Sequence, residues 1–205
     1  YEVSVTATDA AMNVGNDETT NELIIDTTTP LITVDALTTN VVSPELTGTI
    51  DDPTATIEVT VNGSTYAATN NGTIWTLAAG TISPDLADGT YEVSVSATDA
   101  AMNVGTDATA DELTIDTTTP VVTVDALTTN VVSPELTGTI DDASAIIEVT
   151  VDGTAYMATN NGTTWTLAAG TITPDLTDDT YEVSVTATDA AMNVGNDETT
   201  NELII

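Results

Sequence analysis

Apolar and polar residues alternate over short stretches of this chain, and long helix-forming runs are absent. Between residues 26 and 115, Ile32 and Val34 alternate with Thr33 and Asp35, which predicts a first strand. Leu46, Gly48 and Ile50 share one face of a second. In a third, Ile57, Val59 and Val61 point inward while Glu58 and Thr60 point outward. Asn62-Gly63 follows, a signal for a type I′ hairpin, and Asp152-Gly153 meets the same backbone need in the later copy. "STYAAT" then returns alongside the third strand, and Trp75 and Leu77 share a face after the "NNG" turn. Beyond the turn-rich "SPDLADGT", Tyr91, Val93, Val95 and Ala97 form one inward row, and Leu113 and Ile115 supply the last strand. Asp107 and Glu112 read as exposed strand residues. Seven short strands of period two within about 90 residues predict an all-β, antiparallel sandwich.

The pattern repeats. "YEVSV" begins at Tyr1, Tyr91 and Tyr181, a period of 90 residues. Residues 26–115 and 116–205 differ at 19 of 90 positions, and residues 1–25 and 181–205 are identical. The threonine run and proline of "IDTTTP" interrupt strand pairing and punctuate the repeats. Residues 26–115 and 116–205 are therefore expected to be complete domains, and residues 1–25 the last two strands of a preceding one. The chain opens on Tyr1 and reads as a window of a longer polypeptide. Near-identity between neighbours suits a task in which number or length matters.

Composition narrows the function classes. There are 47 threonines, a strand-rich usage. The formal charge is −33, from 33 acidic residues with no Lys, Arg or His, so no salt bridge between side chains can form. Phosphate binding needs Lys or Arg, which argues against nucleic acid and against an anionic membrane surface as partners. No apolar run reaches about 18 residues, so direct membrane insertion is not expected. Without Cys, disulfides contribute nothing, and without His, Cys or Lys the familiar nucleophile–base pairs are missing. Paired carboxylates could serve a glycosidase, but no aromatic groove accompanies them, and the chain is not expected to be an enzyme. Trp75 and Trp165 read as core or sheet-edge packing residues; Tyr91 reads either as a tyrosine corner or as an ordinary core aromatic.

The linker "DTTTP", the hairpin "VNG", the loop "LADGTY" and "ATDAA.N" occur together over essentially the whole chain. In that combination the sequence resembles the bacterial immunoglobulin-like tandem repeats of giant secreted surface adhesins. The resemblance implies tandem seven-stranded immunoglobulin-like sandwiches joined end to end. It also implies an extender role in biofilm and host-attachment proteins, with Ca²⁺ at or near domain junctions. One departure stands out. The family loop usually reads "DAAGN", but Met12, Met102 and Met192 take the glycine's place. Methionine is strained in a left-handed backbone, so Asn13, Asn103 and Asn193 are expected to adopt that conformation instead.

In such a sandwich, the loop between the second and third strands and the loop between the last two lie at the end where the linker enters. That end would gather Asp26, Asp51, Asp52, Asp99 and Asn103 in the first full repeat, and Asp116, Asp141, Asp142, Asp189 and Asn193 in the second. Hard oxygen ligands in this number suit Ca²⁺, which takes six to eight oxygens. Zinc would call for His or Cys. Against this, Asp99 could simply cap its own turn, and Asp51-Asp52 could begin one.

The expected function is a structural spacer of a bacterial cell-surface adhesin, extracellular, with Ca²⁺ stiffening the junctions. Its partners would be neighbouring identical repeats in the same or adjacent chains, with the adhesive ligand bound elsewhere in the full-length protein. Two other readings remain open: a filament subunit assembled by strand complementation, and a carbohydrate- or ice-binding module.

Overall fold

The computed structural model describes residues 1–205, and every regular element in it is a β-strand. Two compact units emerge. The first comprises residues 1–35, 45–78 and 92–110, and the second residues 36–44, 79–91 and 111–205. The division runs through the first full repeat and not through the linker that precedes the second.

The second unit holds the whole of the second repeat. Its larger sheet runs, in spatial order, Leu136–Thr139, Thr164–Leu167, Thr154–Asn160, Ile146–Val151, Val183–Thr188, Val194–Asn196, with every pairing antiparallel. A smaller sheet sets Leu203–Ile204 between Leu127–Thr128 and Thr180–Tyr181. The alternation read from the sequence explains the packing. Ile147, Val149 and Val151 join Val183, Val185, Trp165 and Leu167 of the same sheet in one buried cluster. Leu203 enters that cluster from the smaller sheet, so the two sheets form a sandwich. Each such side chain, fully buried, contributes roughly 1.5–3 kcal/mol by leaving water.

The seven expected strand paths are present, but three are interrupted where the chain passes from one sheet to the other. The first path is reduced to a single bridge, Val122 to Ile140 here and Ile32 to Ile50 in the first repeat. The chain then crosses over, and Leu127–Thr128 pairs in parallel with Leu203–Ile204. "ALTT" gives no warning of this, because only one of its side chains is a large apolar one. The sixth path breaks at Glu182, between Thr180–Tyr181 and Val183–Thr188. The seventh path is longer than "NELII" alone: a short edge strand that the sequence reading does not anticipate, Val194–Asn196, forms on the other sheet before Leu203–Ile204. One expectation fails: Glu112, read as exposed, is only 6 % exposed, and Glu202 only 5 %. Both sit beside a core leucine at the start of the last strand segment, where the two sheets part, and are carried inside with it.

The first unit holds the matching six-stranded sheet of the first repeat, in the same order. It also holds the hairpin of Thr6–Thr8 and Val14–Asn16. The remaining strands of the first repeat, Leu37–Thr39, Gly89–Tyr91 and Leu113–Ile115, form a three-stranded sheet in the second unit.

Local chemistry settles several details. Asn62 and Gly63 have φ of 49° and 78°, and Asp152 and Gly153 of 50° and 74°, as a type I′ turn requires. Trp165 is fully buried, and its indole N–H donates to the Thr123 carbonyl at 2.8 Å. Tyr91 and Tyr181 form tyrosine corners: each hydroxyl donates to the carbonyl four residues upstream, Ala87 at 2.9 Å and Thr177 at 3.0 Å.

Candidate functional site

The loop "ATDAAMNVG" is built around its aspartate. The Asp189 carboxylate accepts from the Asn193 backbone N–H and from the Asn193 side-chain amide, both at 2.8 Å. Asp99 accepts the same two bonds from Asn103, and a third from the Ala101 N–H, all at 2.8 Å. The Asn103 amide is the main reason that the Asp99 carboxyl lies below the usual carboxylate range; burial opposes it, and the backbone donors of the loop assist.

The linker is tied to this loop. The Asn193 amide also donates to the Asp116 carbonyl at 2.8 Å, and the Asn103 amide to the Asp26 carbonyl at 3.1 Å. Gly195 lets the linker approach: a Cβ there would stand 1.8 Å from the Pro120 carbonyl oxygen. From the other loop, Asp141 accepts the Val121 N–H and Asp51 the Leu31 N–H, each at 2.7 Å. Asp142 instead caps its own turn through the Ser144 hydroxyl and N–H, both at 2.7 Å, and Asp52 does so through Thr54. The Ser144 hydroxyl is the largest influence lowering the Asp142 carboxyl from its ordinary value.

Asp116, Asp141, Asp142 and Asp189 together line one hollow of about 290 Å³, with Thr118, Thr119, Pro120 and Ala143. Asn193, the fifth residue expected there, bridges Asp189 to the linker. In the first repeat Asp26, Asp99 and Asn103 are joined by the same bonds, and Asp51 and Asp52 hold the same turns. Four aspartates thus line one hollow, and carboxylate oxygens are the donor chemistry of a hard cation.

Two features escaped sequence reasoning. Asp88 receives the Thr117 N–H at 3.0 Å and hydroxyl at 2.7 Å, and the Thr118 hydroxyl at 3.1 Å. The Thr117 hydroxyl is the chief cause of its lowered pKa. The threonine run of the linker was the available signal: it read as punctuation and serves as a donor array. The second feature is the Asn40 N–H, which donates to the Ala191 carbonyl at 3.1 Å.

The expectation for the methionines is corrected. Met12, Met102 and Met192 themselves take the left-handed backbone, with φ of 72°, 69° and 71°. The turn bonds from Met192 N–H to Asp189 and from Asp189 N–H to Asn193 hold the loop closed whatever occupies that position, and the methionine side chain is exposed. A non-glycine residue there costs roughly 1–2 kcal/mol. Met192→Gly is therefore expected to stabilise the second repeat by about 0.5–1 kcal/mol, once the extra unfolded-state freedom of glycine is deducted. Thermal melting checks this, and a lowered Tm would sink it.

A family model for the bacterial Ig-like domain matches the chain twice, over residues 32–117 and 120–205. No curated protein matches it. Among solved structures, the chain is similar to the fibronectin(III)-like modules of Clostridium thermocellum CbhA, at 14 % identity and a TM-score of 0.49, covering 84 % of this chain and 95 % of that one. It is similar to a Ca²⁺-stabilised adhesin with which an Antarctic bacterium reaches out and binds ice, at 20 % identity and a TM-score of 0.39, covering 98 % and 56 %. A tetra-tandem repeat from the extending region of a large adhesion protein is similar at 24 % identity and a TM-score of 0.37, covering 95 % and 54 %.

Proposed function

The chain belongs to the bacterial Ig-like domain family, in two tandem copies, and from that premise we propose that it is a length of spacer from an extracellular adhesin on a bacterial surface. The observation that carries this is the joint. In both full repeats the asparagine of the "ATDAAMNVG" loop binds the incoming linker, and in the second, four carboxylates face one hollow beside it. With no basic side chain anywhere in the sequence, the charge gathered there is offset by Ca²⁺ from the medium. Asp116, Asp141, Asp142, Asp189 and the side-chain oxygen of Asn193 hold that ion; Asp26, Asp51, Asp52, Asp99 and Asn103 hold its counterpart. Bound Ca²⁺ screens the carboxylates from one another and fixes the linker. A flexible string becomes a rod, each repeat adding about 35–45 Å of length at strand-like rise. The partners are neighbouring repeats in the same or adjacent chains, and the adhesive ligand binds elsewhere in the full-length protein.

Small-angle scattering of the chain in Ca²⁺, and then in excess chelator, tests the reading. Chelation is expected to shorten the maximum dimension, raise interdomain flexibility and lower the Tm. Superimposable curves with an unchanged Tm would refute the junction ion.

A further inference from the structure

Three Asn-Gly pairs stand in this chain: Asn62-Gly63, Asn71-Gly72 and Asn161-Gly162. In such a pair the main chain can attack the preceding side chain, because glycine has no Cβ to keep its nitrogen away from the asparagine Cγ. Local sequence favours all three alike, since Ser or Thr follows each. Their surroundings differ.

At Asn71 and Asn161 both reacting groups are held. The Gly72 N–H donates to the Asn70 side-chain oxygen at 3.0 Å, and the Gly162 N–H to that of Asn160 at 2.9 Å. The Asn71 amide donates to the Thr76 hydroxyl at 3.2 Å, and the Asn161 amide to the Thr166 hydroxyl at 3.1 Å. Asn70 and Asn160 are themselves anchored. Each amide donates to two carbonyls at 2.9 Å, Asp52 and Ala55 in the first repeat and Asp142 and Ala145 in the second.

At Asn62 neither group is held. Asn62 and Gly63 form the exposed tip between Thr56–Val61 and Ser64–Asn70. The ladder ends at the pair Val61 and Ser64, and neither tip residue makes a hydrogen bond beyond it. Space around Gly63 is open: a Cβ there would meet nothing within 4 Å. The tip can therefore leave its turn, with φ of 49° and 78°, without breaking a bond of its own. The second repeat shows that an acid fits the same turn. There Asp152-Gly153 has φ of 50° and 74°.

We propose that Asn62 is a self-modification site, at which the amide is exchanged for an acid and the hairpin tip of the first repeat takes the chemistry of the second. The Gly63 nitrogen gives up its proton and bonds to the Asn62 Cγ. The Cγ–Nδ2 bond breaks, and Nδ2 leaves as ammonia with that proton. Water then opens the cyclic imide. Attack at Cγ restores the main chain with an aspartate, whereas attack at the main-chain carbonyl adds a carbon to the main chain. The first product keeps the pairing of Val61 with Ser64 and the second displaces it. Nothing is oxidised or reduced. The site is independent of the spacer role and of any ion at the linker.

Peptide mapping of the 205-residue chain by mass spectrometry, over time at mildly alkaline pH, tests this. In the folded chain Asn62 is expected to convert about tenfold or more faster than Asn71 or Asn161, the factor set by the two hydrogen bonds that must first open at each. In denaturant those bonds are gone, and the three rates are expected to converge. Thr76→Val removes the hydroxyl that holds Asn71 and is expected to speed conversion of Asn71 alone. Asn62→Asp is expected to melt with the parent. The proposal is overturned if Asn62 stays unconverted, if Asn71 or Asn161 keeps pace with it in the folded chain, if the three rates stay apart in denaturant, or if Asn62→Asp lowers the Tm.

Discussion

Gly195→Ala is expected to cost the second repeat about 3 kcal/mol, the upper range for forcing an extra carbon into a packed site. The added Cβ would stand 1.8 Å from the Pro120 carbonyl oxygen and 2.8 Å from its carbon. Both are backbone atoms, so no rotamer change relieves the clash. Either the linker lifts away or the edge strand Val194–Asn196 bends. Lifting the linker breaks the Asn193–Asp116 bond as well. Gly105→Ala meets the Pro30 carbonyl oxygen at the same 1.8 Å and should behave alike. Denaturation followed by tryptophan fluorescence reads the effect, with one Trp in each full repeat. A loss below about 0.5 kcal/mol, the range of an ordinary surface change, would show that the linker does not seat on this glycine.

Asp189→Ala is expected to cost about 3 kcal/mol, because two charge-assisted hydrogen bonds disappear and leave the Asn193 donors short of an acceptor. Asp189 and Asn193 are 8 % and 6 % exposed, so water restores little. Asp189→Asn retains one acceptor and should lose less, about 1 kcal/mol. If Ala and Asn prove equal, the carboxylate is not organising the loop. Three other loop aspartates give the chain an acid limit. Asp99, Asp88 and Asp142 all titrate below their ordinary values when folded. Their stabilisation is complete above the unfolded carboxylate pKa near 4 and is lost as the pH falls through the lowered values.

The period-two rows at Ile57–Val61 and Val93–Ala97, and the two Asn-Gly and Asp-Gly turns, were legible because local pattern and tertiary role agree there. What was illegible depends on where a strand changes sheets. Glu182 and Glu202 occupy polar positions in alternating rows, and nothing local says that the row is cut at Glu182 or that Glu202 is turned inward. The loop aspartates were legible by type and place, since a sandwich end gathers its loops. Their division of labour was not: Asp141 serves the linker, whereas its neighbour Asp142 serves its own turn. The methionines misled because a propensity rule was applied to a position whose geometry two backbone hydrogen bonds already dictate.

The parallel pairing of Leu127–Thr128 with Leu203–Ile204 carries a mechanical consequence. Neighbouring strands that run the same way send the two ends of the repeat off in opposite directions. Tension applied through the chain therefore slides these strands along each other. The Leu127 N–H bond to Glu202 at 2.7 Å and the Thr129 N–H bond to Ile204 at 2.9 Å lie across that slide. They share the load and must yield together, whereas a hairpin pulled open at its mouth gives way one bond at a time. The crossover that the sequence concealed is the latch that lets each repeat bear a pull.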